Sequence, residues 1–125
     1  MASSPLPRRG RLALTRADGS SVCERCLVAG TPLARLRGLL GRRELGNGEG
    51  LLLWPASSIH MFFMRFPIDA VFVDRELTVR KVVPGLRPWQ IAFGKGSRAV
   101  LELPAGECDR RGIAAGDRFV LVPLP

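Results

Sequence analysis

The chain has 125 residues, 46% hydrophobic and 24% charged, with a formal net charge of +8. That length and balance suit one folded domain and exclude a disordered tail, a collagen-like repeat, a coiled coil and a cysteine-stapled scaffold. The charge invites an anionic partner but selects no chemistry.

Residues 1–10, with Pro5, Pro7 and paired serines, lack periodicity and are expected to form a disordered leader, with one domain over 11–125. Arg11 to Thr15 and Ser21 to Val28 are strand-like runs joined by Asp18-Gly19, a pairing that favours a tight hairpin turn. Thr31-Pro32 opens a predicted helix with Leu33, Leu36 and Leu40 on one face and Gly41 at its end. Three glycines between Gly46 and Gly50 predict a loop. Four apolar runs of strand length follow: Leu51 to Trp54, Ile59 to Met64, Ile68 to Val73 and Leu77 to Val83. Pro84 to Gly96 is expected to be a loose loop, Ser97 to Leu103 a strand, Gly106 to Arg111 one helical turn, and Arg118 to Val122 a last strand. About eight short strands with one helix predict a mostly β, barrel-like domain with the helix plugging one end.

The basic excess is lopsided: nine arginines precede Glu44 against Asp18 and Glu24 alone. No basic stretch interleaves with aromatics as a stacking platform would, so nucleic acid is not the expected partner, and codon bias explains the arginines more simply. The longest run without Asp, Glu, Lys or Arg, Gly50 to Met64, is too short to span a bilayer and is broken by Pro55 and His60. Arg16 ends the early apolar stretch too soon for a signal peptide, and three cysteines are an odd set, so a cytoplasmic location is expected.

Few polar residues stand in apolar surroundings. Cys23 and Cys26 have the spacing of a redox or zinc pair. On an extended strand, however, they would point to opposite faces and neither bridge nor share a metal. A four-ligand zinc set of Cys23, Cys26, Cys108 and His60 is the weaker alternative to small half-buried thiols, and no metal or cofactor is expected. His60 alternates with Phe62 and Met64 in a strand whose faces are both apolar, the position of a core or pocket histidine. Asp69, between Ile68 and Ala70, must find donors or take up a proton. It is either a structural carboxylate or an acid-base partner of His60. Glu102 is expected on a solvated strand face.

Arg35 to Arg42, then Gly48 to Leu53, then Ile59 to Asp74 with its His60-Met61-Phe62-Phe63-Met64-Arg65-Phe66-Pro67-Ile68-Asp69 core, continue into Val100 to Gly106 and Gly112 to Asp117. This ordered series resembles the uncharacterised bacterial and archaeal family DUF192 over residues 11–122. The resemblance implies a compact barrel-like β domain with a short helix and no established activity. Relatives in this branch often carry Cys where Ala56 stands and Thr where Met61 stands, and many look exported, whereas this chain shows no export signal. The family's recurring polar positions fall on Arg35, Arg42, His60, Arg65, Asp69 and Glu102.

The reading that results is a non-enzymatic binding module, monomeric or weakly dimeric, for an unknown small ligand or protein. Its groove is expected near His60, Met64, Arg65 and Asp69, with Trp54 or Trp89 at the rim. Its rivals are a small hydrolase-like acid-base enzyme using His60 and Asp69, and a nucleic-acid binder using the arginine-rich first part of the chain.

Overall fold

In a computed structural model, which describes residues 6–31, 42 and 44–124, Asp18-Gly19 turns the chain between β1 (Arg11–Arg16) and β2 (Ser21–Ala29). The turn is closed by Arg16 N–H to Ser20 O and Gly19 N–H to Arg16 O, with Gly19 at a φ of 87°. Next come β3 (Glu49–Leu53), β4 (Ser58–His60), β5 (Ile68–Val73), β6 (Val79–Leu86), β7 (Ile91–Phe93), β8 (Ala99–Pro104), the helix α1 (Glu107–Arg111) and β9 (Phe119–Pro123). The helix predicted from Thr31-Pro32 to Gly41, and Arg35 within it, fall almost wholly outside the described residues.

Seven strands form one sheet in the order β6-β5-β8-β3-β2-β1-β9, antiparallel except for β2 beside β3. The ladder stays open, but its edges meet at one end. Thr78 bridges Arg118, Phe119 N–H donates to Leu77 O at 2.9 Å, and Val79 N–H donates to Asp117 O at 2.7 Å. The domain is therefore mostly β and barrel-like.

Curling the sheet creates two apolar layers. The enclosed face carries Leu14, Val22, Leu52, Val71, Leu101 and Phe119; the other carries Leu51, Leu53, Ile68, Ala70, Phe72 and Val100. Every residue of β5 is buried, as a strand covered on both sides requires. The outer layer is roofed by a separate two-stranded sheet of β4 and β7, whose Ile59 and Ala92 point down into it. Gly94 seats this roof: a Cβ there would lie 2.4 Å from the Phe72 ring. Leu86 of β6 and Met61 complete the layer, and both are buried.

Three local expectations need correction. The run Ile59 to Met64 is not one strand, because pairing ends at His60 and Met61–Met64 is a turn. The expected loop from Pro84 to Gly96 contains the end of β6 and all of β7, a strand too short to show a period. The glycine loop gives way to strand at Glu49, and Gly50 is required there, since a Cβ would meet Cys23 Sγ at 2.8 Å and Leu103 at 3.1 Å.

Candidate functional site

The roof turns its other face outward. In the β4–β7 register Ser58 faces Phe93, Ile59 faces Ala92 and His60 faces Ile91, so alternation sends Ser58, His60, Ile91 and Phe93 to solvent. Two turns extend this face. Met61–Met64 is closed by Met64 N–H to Met61 O, and Arg87–Gln90 by Gln90 N–H to Arg87 O. The buried Met61 staples the turns together, accepting from Trp89 N–H at 2.7 Å and donating to Gln90 O at 2.8 Å. Phe63 and Trp89 occupy the third position of their turns at φ of 65° and 72°, a left-handed conformation that favours glycine and costs a bulky residue about 1–3 kcal/mol.

Both strained residues hold their rings in water. Phe63 is 71% exposed, Phe93 65% and Trp89 60%, although burying an aromatic ring is among the largest gains a side chain can make in folding. The rings form a chain. His60 stacks on Phe62 at 4.6 Å, Phe62 lies 5.7 Å from Trp89, and Phe63 meets Trp89 edge-on at 4.9 Å. Ile91 is half exposed beside them. A contiguous exposed apolar patch marks an interaction surface more often than an accident of packing.

Cations rim this patch. Arg65 and Arg87 flank the two turns, Lys81 donates from Nζ to Phe93 O at 2.8 Å, and the Arg80 guanidinium lies against Gly96, next to Lys95. At the Ser58–Phe93 end a shallow pocket is lined by Ser57, Ser97 and Arg98 with Pro55 and Ala56. All six cations are exposed, and among the described residues none is paired with a carboxylate. The nearby carboxylates are occupied elsewhere: Asp74 accepts from Glu76 N–H and Thr78 N–H, and Asp69 is turned inward.

The residues singled out from the sequence scatter over this frame. His60 is exposed instead of buried and belongs to the aromatic face, with Phe62 N–H directed at its Nδ1 at 3.4 Å. Met64 is partly buried against the outer layer and Arg65 is exposed. Asp69 pairs in register with Leu103 on the enclosed face, where its carboxylate accepts from the backbone amides of Gly85 (2.9 Å), Gly106 (3.1 Å) and Cys108 (2.9 Å). His60 and Asp69 thus stand on opposite sides of the sheet and form no acid-base pair. Arg42 pairs with Glu49 at 3.1 Å, away from both.

Glu102 overturns the expectation of a solvated face. It lies on β8, between Leu51 of β3 and Ala70 of β5, in the middle of the sheet, and is 7% exposed. Burial pushes its carboxyl up to about 8.

The cysteine pair is also corrected. Leu12 faces Cys26 and Leu14 faces Cys23, so β2 spends one residue more than β1 over this stretch. This bulge exposes Glu24 and Arg25 together and turns both thiols into the enclosed core. Cys23 Sγ donates to Gly48 O at 3.5 Å and Cys26 Sγ to Leu27 O at 3.7 Å; interaction between the two thiols lowers Cys23 from its ordinary value and, with burial, raises Cys26 well above it. Cys108 sits beside Asp69, raised to about 12 by burial and then by the Asp69 charge. The four-ligand set does not assemble: among the described residues no three His, Cys, Asp or Glu side chains gather as a metal site. No helix is long and apolar enough to cross a membrane among these residues.

The DUF192 family model, which describes an uncharacterized group, matches residues 13–121. A UPF0127 protein from Thermococcus sibiricus is 31% identical over 116 residues, spanning 86% of this chain and 73% of that protein. One from Pyrococcus abyssi is 40% identical over 63 residues, about half of each chain. Among solved structures, a candidate transcription regulator from Sinorhizobium meliloti superposes with a TM-score of 0.79 at 27% identity, covering 90% of this chain and 93% of that one. A protein of unknown function from Novosphingobium aromaticivorans gives 0.75 at 28% identity, covering 90% and 84%.

Proposed function

The chain belongs to the DUF192 family, whose activity is uncharacterised, and from that premise we propose that it is a binding module that engages an anionic partner through the β4–β7 face. The observation that carries this reading is the pair Phe63 and Trp89. Both adopt a backbone conformation that costs free energy, both hold their rings in solvent, and the same backbone atoms of Met61 and Gln90 fix both turns. Exposed rings held on such a backbone are two aromatic anchors preorganised for a partner. The rim of unpaired cations gives the sign of that partner's charge.

The test uses heparin, a polyanion without bases. The intact protein should elute from immobilised heparin only at raised salt. Neutralising Lys81, Arg87 and Lys95 together as glutamines should release it far earlier, whereas neutralising Arg8, Arg9 and Arg11 should not. Retention that depends on the second trio and ignores the first overturns the proposal.

A further inference from the structure

Resting on the anionic-partner reading, we infer that the partner is single-stranded nucleic acid, its bases stacking on Phe63, Trp89 and Phe93 and its phosphates held by the surrounding cations.

The β4–β7 face is a sheet surface whose outward positions pair Ser58 with Phe93 and His60 with Ile91, and an aromatic chain runs from His60 through Phe62 to Trp89 and Phe63. Outward positions on a strand recur every ~7 Å, so successive flat groups are offered at separate points along one track. Single strands present the matching object, a row of π-faces on a flexible chain with one negative charge per unit. A duplex hides those faces within its stack.

Charge is laid out along the same track. Arg87 and Arg65 stand at the Trp89–Phe63 end, Lys81 reaches the backbone of β7 in the middle, and the Ser57–Ser97–Arg98 pocket closes the far end. Two hydroxyls and a guanidinium around one depression suit a phosphate, which takes several hydrogen bonds and a charge together. Stacking favours rings already held at defined positions, and Met61 holds the two left-handed turns through the backbone.

The test is fluorescence anisotropy of the full chain with a labelled oligothymidine of about fifteen nucleotides, compared with a duplex of the same length and with heparin. Expected are tighter binding to the single strand than to the duplex, affinity that falls as salt rises, and quenching of Trp89 emission in a Trp54→Phe background. Trp89→Gly should weaken the single strand roughly 5- to 100-fold while leaving heparin retention nearly unchanged. Because glycine suits the Trp89 backbone, this variant should remain folded by circular dichroism; Phe63→Ala and Phe93→Ala provide independent checks. Equal affinity for single strand and duplex, or single-strand affinity indifferent to all three rings, overturns the inference while the anionic-partner reading stands. Binding to vesicles rich in phosphatidylserine without binding to the oligonucleotide also overturns it. Loss of heparin retention as well would sink both.

Discussion

Replacing Glu102 by glutamine should stabilise the protein at neutral pH and flatten its pH dependence. In the folded chain the carboxyl is raised from 4.5 to about 8 because it lies between Leu51 and Ala70 under the outer layer. The unfolded chain gives up its proton near 4.5, so between that pH and about 8 the folded state holds a proton that the unfolded state has released. Stability therefore falls as pH rises through this window; below it both states are protonated and above it both are ionised. At 1.36 kcal/mol per unit, the 2.5 units from 4.5 to neutral pH set an upper bound of about 3 kcal/mol on the cost. Glutamine carries no titrating proton and has nearly the same shape. Urea denaturation at pH 5, 6, 7 and 8 should show the wild type losing about 2–4 kcal/mol across the series relative to Glu102→Gln, with the two proteins closest at pH 5. Parallel profiles would mean that Glu102 is ionised and hydrated, and the burial argument would fail.

Asp69→Asn keeps the shape but places an amide NH2 among three backbone N–H donors, so it should cost about 2 kcal/mol in the same assay. An unchanged midpoint would show that the carboxylate is not what organises the Gly106–Cys108 turn. Gly94→Ala puts a methyl group against Phe72 and should cost about 1–3 kcal/mol, with hydrogen exchange accelerating in β4 and β7 more than in the seven-stranded sheet. Uniform acceleration would contradict a separately seated roof. Cys23, Cys26 and Cys108 are all buried, so a thiol-specific reagent should label none of them in the native protein and all three after denaturation. Rapid native labelling of any one would refute its placement.

Where the sequence was readable, the signal was local. Asp18-Gly19 specified its hairpin within a few residues, and the apolar run Ile68 to Val73 is a strand buried on both faces because a covered strand needs no alternation. The failures share a different cause. The extra residue in β2 that gathers Cys23 and Cys26 is defined only against its partner β1, so strict alternation on one strand placed the thiols on opposite sides. Glu102 looked solvated for the same reason, since nothing in Val100 to Leu103 tells that β8 lies between β3 and β5 with both faces covered.

The aromatic face extends this point to function. The aromatic and basic residues of this face are brought together across strands and not along the chain. His60, Phe62 and Phe63 come from one side of β5, Trp89, Ile91 and Phe93 from beyond β6, and Lys81 from β6 itself. A run such as Phe62-Phe63 reads as core when the only available partner is a neighbour in sequence. The structure instead turns Phe63 out to solvent at a left-handed φ, in a turn tied to Trp89 by the Met61 backbone hydrogen bonds. That staple is a pair of backbone hydrogen bonds, which leave no trace in side-chain pattern, so the outward placement of Phe63 and Trp89 was not legible in the sequence.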